Sequence, residues 1–188
     1  MPNLYIIAGC NGAGKTTASF TVLPEILNCK QFVNADEIAK GLSPFQPETV
    51  AIEAGRIMLQ RINELLLAKV DFAFETTLAT RSYVNLIKRA KSLGYKVHLL
   101  FFWLDSIEAA KNRVRKRVSN GGHSIPIDVI ERRYFRGIDN FLKLYSDKVD
   151  FWLLFDNTDK PLLIAEGNNS VDMNIKNPYL WDIFSNGR

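Results

Sequence analysis

Gly9-Cys10-Asn11-Gly12-Ala13-Gly14-Lys15-Thr16-Thr17 follows the apolar run Leu4-Tyr5-Ile6-Ile7-Ala8 and leads into a helical stretch. Strand, loop and helix in that order are what a phosphate-binding loop requires. The glycines leave the loop without side chains, so successive backbone N–H groups can turn inward around a phosphate at the positive end of the helix. Lys15 is then placed to reach the β- and γ-phosphates of ATP, and the Thr16 hydroxyl to sit on Mg²⁺. The expected nucleotide set is therefore Gly9, Asn11, Gly12, Ala13, Gly14, Lys15, Thr16 and Thr17. On its own, such a loop serves a GTPase, an ATPase or a kinase equally well.

Further residues supply what phosphoryl transfer needs around that loop, which is positioning and charge neutralisation. Asp36 can accept a proton from an acceptor hydroxyl, or cap the helix that follows it. Glu75, beside Thr76 and Thr77 at the end of an apolar strand, can bind acceptor hydroxyls or hold a Mg²⁺-bound water; the plainer reading is a turn carboxylate. Asp105 reads equally as a helix cap. Arg113 and Arg117 lie one helical turn apart and can reach one anion together, as a γ-phosphoryl clamp or as part of a solvated basic face. Arg132 and Arg136 form a second pair at that spacing. His123 sits in a polar glycine-rich stretch, and His98, inside an apolar strand, reads as a buried structural histidine.

The elements that position these groups alternate. Helix is expected from Thr17 to Leu27, shortened or kinked at Pro24, then strand from Gln31 to Asn34 and a brief helix from Ala35 closed by Gly41. A long helix runs from Pro47 to about Lys69, strand from Val70 to Phe74, helix from Ser82 to Leu93 and strand from Val97 to Leu104. Basic helix follows from Ser106 to Asn120, then helix from Pro126 to about Tyr145 and a strand from Asp150 to Phe155. A small sixth strand is expected at 161–165. Beyond Gly167 there is no clear period, although Tyr179, Leu180, Trp181 and Phe184 form an apolar docking patch. This alternation predicts an α/β fold: a doubly wound, mostly parallel sheet of five to six strands with helices on both faces and a basic lid at about 111–126. Such sheets bind ligands at the carboxyl ends of their strands, where the loop, Asp36, Glu75 and Asp105 are expected to converge.

At 188 residues and 47% hydrophobic content, one substantial core and a single domain over 1–188 are expected. The net charge of +4, from 24 Lys+Arg against 20 Asp+Glu, is too small to require a nucleic-acid partner. No aromatic residue interrupts the run from Lys111 to Arg117, which argues against a stacking platform for single strands. Cys10 and Cys29 make no disulfide framework and suit a reducing compartment. The absence of an export segment or a membrane-length apolar run leads us to expect a cytoplasmic protein.

The phosphate loop, Phe32-Val33-Asn34-Ala35-Asp36-Glu37-Ile38, the strand end Phe74-Glu75-Thr76-Thr77-Leu78 and the stretch from Gly94 to Asp105 together resemble the zeta-toxin family of P-loop kinases. The resemblance runs from Leu4 to about Phe155. It implies ATP-dependent phosphorylation of a hydroxyl on a UDP-N-acetyl-amino sugar, with Asp36 as base, Glu75 near the acceptor, and restraint by a small antitoxin protein. Toxins of the family carry an arginine where this chain has Ala79, with Arg81 nearby, and a second lid arginine at the position of His123. Those departures touch acceptor recognition and transition-state charge. From the sequence, the expected machinery is Lys15, Asp36, Arg113 and Arg117 for catalysis and Asp36, Glu75 and Thr77 for the acceptor, with Thr16 on the metal. The alternatives are a nucleotide-gated interaction protein, or a kinase of nucleosides, polyols or nucleic-acid ends.

Overall fold

The computed structural model describes residues 1–119 and 124–186. Its elements in chain order are β1 (Asn3–Gly9), α1 (Lys15–Thr21), β2 (Phe32–Val33), α2 (Ala35–Leu42), α3 (Ala51–Ala68), β3 (Phe72–Thr76) and α4 (Tyr83–Ser92). They continue as β4 (Lys96–Trp103), α5 (Ile107–Ser119), α6 (Ile127–Asn140), β5 (Phe151–Asp156), β6 (Leu162–Gly167), β7 (Met173–Ile175) and α7 (Pro178–Asn186). The strands form a seven-stranded sheet in the order β2-β3-β1-β4-β5-β6-β7. The first five are mutually parallel. This is the doubly wound α/β arrangement expected, with one strand more than the sequence suggested.

β1 lies in the middle because both of its faces are apolar: Leu4 and Ile6 are fully buried and Ile7 is 1% exposed. Its neighbours are β3 and β4, so the chain moves to one side of β1 through β2 and β3 and then crosses to the other. That reversal opens a crevice at the carboxyl ends of the strands. The connection 157–161 is too short for a parallel crossover, so β6 returns antiparallel to β5. Pro24 does interrupt its helix, and Val22–Ile26 widens into a π-helical turn after α1.

Three local readings change. Gly41 lies inside α2 instead of closing it, and the helix runs on to Leu42. Glu75 is a residue of β3 with Thr76 beyond it. The segment after Gly167 is ordered as β7 and α7. Phe184 of α7 is 1% exposed, edge-on to Trp103, Phe101 and Phe141, while Trp181 stacks on Trp152. Tyr179 stands outside this patch at 73% exposure. Nothing in the sequence period revealed these elements, because β7 has three residues and α7 buries a few aromatic side chains instead of a full stripe. The residues 120–123, including His123 and most of the glycine-rich stretch, lie outside the described residues. Among the described residues no helix is long and apolar enough to cross a membrane.

Candidate active site

The loop from Gly9 to Lys15 is built by close backbone contacts that exclude side chains. Gly9 has φ 141°, and a Cβ there would lie 2.1 Å from the Phe102 carbonyl oxygen of β4. Gly14, at φ 75°, opens α1, and a Cβ on it would sit 2.7 Å from Nδ2 of Asn157. That amide donates to the Ala13 carbonyl at 2.6 Å. From α5, the Arg113 guanidinium donates to the carbonyls of Gly12 and Thr158. The loop is thus held through the carbonyls of Gly12 and Ala13. Lys15 is 6% exposed, with Nζ donating to the Cys10 carbonyl at 3.0 Å and lying 3.4 Å from Glu75 Oε1. Burial pushes the Cys10 thiol up to about 11, so it stays protonated and serves packing.

Glu75 is opposite Ile7 in the β1/β3 ladder, two residues before the loop begins. Its Oε2 accepts from Thr16 Oγ1 at 2.7 Å and from Asn34 Nδ2 at 2.8 Å. This carboxylate therefore faces the phosphate loop as well as the acceptor side. Among the described residues no cluster of three or more His, Cys, Asp or Glu could cage a metal. One hydroxyl and one carboxylate in contact, Thr16 and Glu75, nevertheless fit Mg²⁺, which keeps waters and substrate phosphates and takes only one or two protein carboxylates.

Asp36 is the second residue of α2, past the end of β2. The cap of that helix is Asn34, whose Oδ1 accepts from the Asp36 N–H at 2.8 Å and from Glu37 N–H at 3.4 Å. With the capping duty met by its neighbour, the Asp36 side chain faces the crevice.

Two cavities meet there. One, of about 640 Å³, is lined by Gly12, Gly14, Thr17, Lys116, Arg113 and Arg117, among others. The other, of about 380 Å³, is lined by Thr76, Thr77, Tyr83 and the arginines 132, 133 and 136 of α6. Asn11, Lys15, Asp36 and Glu75 line both. The phosphate loop is the floor of the first, which makes it the nucleotide side; the second is a separate lobe beside it. Gly9 and Ala13 shape the loop without lining either lobe, and Asp105 lines neither. Its N–H donates to Thr158 Oγ1 and its carboxylate accepts from Ser106. His98 does behave as a structural histidine, with Nε2 3.2 Å from Asn3 Oδ1, its ring stacked on Tyr5, and its pKa lowered by burial.

Four residues that the sequence did not single out complete the site. Asn157 braces the phosphate loop. Arg133 donates to Asn11 Oδ1 at 3.4 Å, and burial pulls its guanidinium pKa down while nearby Asp36 opposes that shift. Asn140 Nδ2 donates to the Leu78 carbonyl at 2.8 Å, and the Tyr145 hydroxyl to the Thr80 carbonyl at 2.6 Å. These last two fix the turn after β3, in which the buried Leu78 adopts φ 59°. A polar residue at an apolar position of a helix, as Asn140 is, was the one available signal.

A family model described as zeta toxin matches residues 1–168. An uncharacterized protein of Haemophilus influenzae is 30% identical over 126 residues, which is 67% of this chain and 88% of that protein. Among solved structures, the AvrRxo1-ORF1:-ORF2 complex with ATP superposes with a TM-score of 0.75 at 18% identity, covering 98% of this chain. This chain spans only 64% of that neighbour's length. A structure of the PezAT chromosomal toxin-antitoxin system of Streptococcus pneumoniae superposes with a TM-score of 0.73 at 16% identity, covering 100% of this chain and 80% of that one. At such identities these two likenesses speak for the fold.

Proposed function

The chain belongs to the zeta-toxin family, and from the geometry of its crevice we propose that it is an ATP-dependent kinase of a hydroxyl-bearing small molecule. One observation carries this reading: two separate lobes meet at Asn11, Lys15, Asp36 and Glu75. A nucleotide hydrolase or switch needs the donor lobe alone. A second lobe with a carboxylate at the junction is what transfer to an acceptor requires.

In this mechanism the phosphate loop and Lys15 hold the β- and γ-phosphates, with the lid residue Arg117 on the donor side. Mg²⁺, held by Thr16 and Glu75, supplies charge neutralisation at the phosphates when bound. Thr77 and Glu75 orient the acceptor so that its hydroxyl faces Asp36. The hydroxyl oxygen bonds to the γ-phosphorus as its proton passes to Asp36, the bond to the β-γ bridging oxygen breaks, and ADP leaves. Arg113, already bound to two carbonyls, serves first to hold the loop.

The acceptor we propose is a UDP-N-acetyl-amino sugar, as the family resemblance implies, acted on by one cytoplasmic kinase unit spanning 1–188. We further propose that a small antitoxin protein restrains it; growth arrest on expression, relieved by the product of an adjacent small reading frame, tests that. The function itself is tested by incubating the protein with ATP, Mg²⁺ and separate acceptors: UDP-N-acetylglucosamine, N-acetylglucosamine, a nucleoside, a polyol and a 5′-hydroxyl oligonucleotide. Mass spectrometry should find a phosphorylated nucleotide sugar. Tight ATP binding with no phosphorylated product from any acceptor, or from a metabolite extract, would instead favour a nucleotide-gated interaction protein.

A further inference from the structure

Charge developing on the phosphoryl group in flight has to be met at the junction of the two lobes, because that is where the group crosses. Of the arginines near the crevice, Arg113 lines the donor lobe but is already bound to the carbonyls of Gly12 and Thr158. Arg117 lines the donor lobe and does not line the acceptor lobe. Arg133 lines the acceptor lobe, reaches Asn11 at the junction, and faces Asp36 closely enough for the two charges to interact.

The helix that carries Arg133 is held in place on both sides. Arg133, Gly137 and Asn140 follow one another at i, i+4 and i+7, so they share one face of α6. At Gly137 that face presses on the turn after β3 so closely that a Cβ would lie 2.7 Å from the Thr77 carbonyl oxygen. One turn further, Asn140 clamps the Leu78 carbonyl. From another face of α6, the buried Tyr134 donates to the Leu104 carbonyl at 2.7 Å and accepts from Trp103 Nε1 at 3.0 Å. Such a helix cannot rotate without breaking these bonds. Arg133 is thereby presented to the junction in a fixed direction, which is the preorganisation that transition-state stabilisation needs.

We propose that Arg133 is a further catalytic residue: it donates hydrogen bonds to the equatorial oxygens of the transferring phosphoryl group, from α6 and not from the lid. It releases Asn11 to do so. The proposal rests on the kinase reading, in which that group moves from the bridging oxygen of ATP to the acceptor oxygen while Asp36 takes the proton.

The test compares the wild type, Arg133→Met, Arg133→Lys and, as a control on the basic face, Arg115→Met, whose native side chain donates to Asn112 and lines neither lobe. A non-hydrolysable ATP analogue reports the ground state, and ADP with aluminium fluoride and Mg²⁺ mimics the transferring group. Arg133→Met should bind the analogue within about 3-fold of wild type, while kcat and affinity for the ADP–aluminium fluoride pair both fall by ~10²- to 10³-fold. Arg133→Lys should keep part of both, and Arg115→Met all of both. Equal aluminium fluoride affinity in wild type and Arg133→Met overturns the proposal, as does a loss matched by an equal loss of analogue affinity. If the wild type phosphorylates no acceptor, the kinase reading fails, yet the aluminium fluoride comparison still decides the role of Arg133. Should Arg133→Met melt early, Arg133→Lys, which keeps the charge but not the planar fork, carries the comparison: a partial loss of aluminium fluoride affinity at unchanged analogue affinity is expected, and no loss overturns the proposal.

Discussion

The two lobes of the crevice are made in different ways. The floor of the donor lobe is one continuous stretch, Gly9 to Thr17, shaped by glycine backbone and by its place between a buried strand and a helix. The wall of the proposed acceptor lobe is assembled from the turn after β3 and from α6 with the turn that follows it, far apart in sequence and joined by side-chain bonds to carbonyls. A phosphate is the same in every nucleotide, so a local motif suffices to bind it. An acceptor varies between enzymes, and the wall proposed to hold it can be changed residue by residue without touching the loop.

This contrast predicts damage of different kinds. In the donor loop, Gly9→Ala sets a Cβ 2.1 Å from the Phe102 carbonyl oxygen and should destabilise the whole fold by ~3 kcal/mol or more, because overpacking and a forced backbone conformation add. Thermal melting checks it, and a variant as stable as wild type would show that β1 and β4 can separate at that point. In the acceptor wall, Asn140→Leu orphans the Leu78 carbonyl, at a cost of ~1–3 kcal/mol. Its sharper effect should be on kcat/KM for the acceptor, down about 10- to 100-fold through misplacement of Thr77, with ATP affinity unchanged.

Asn157→Ala gives the converse. Losing the donor to the Ala13 carbonyl should weaken binding of an ATP analogue by several-fold, for ~1 kcal/mol, with acceptor KM unmoved. Equal loss on both sides in either variant would mean that the lobes are not independent. The smallest effect is expected at Tyr145. Burial pushes its hydroxyl up to about 12, above the ~10 of an unfolded tyrosine. The protonated form is thus favoured by folding: its contribution is complete below about pH 10 and is lost as pH rises through the folded value. Tyr145→Phe should flatten the fall of stability above pH 10, measured by denaturant titration.

How much of this the sequence carried follows the same division. The order of strands and helices and the position of Lys15, Thr16 and Glu75 were legible, because apolar period and a glycine loop are local signals. Asp36 was legible as a candidate but not as the carboxylate that α2 turns to the crevice; that depended on which of Asn34 and Asp36 capped the helix, a choice between residues two apart that backbone geometry makes. Arg113 and Arg117 of α5 were legible as a pair, but the carbonyl partners of Arg113 were not, since folding brings them to it. Arg133, Asn140, Tyr145 and Asn157 act through partners 62 to 144 residues away, so no spacing rule could mark them. The order of β7 and α7 escaped for a related reason: β7 is three residues paired to β6, and α7 is held by aromatic contacts of Trp181 and Phe184 with Trp152, Phe101 and Phe141.

The central claim is that Asp36 stands between a donor lobe and an acceptor lobe and takes the acceptor's proton. Asp36→Asn, compared with wild type for both ATP-analogue affinity and single-turnover transfer to UDP-N-acetylglucosamine, tests it most directly. Nucleotide affinity should stay within about 3-fold while transfer falls by ~10²- to 10⁴-fold, the range a general base supplies. Transfer at the wild-type rate in Asp36→Asn would contradict the account.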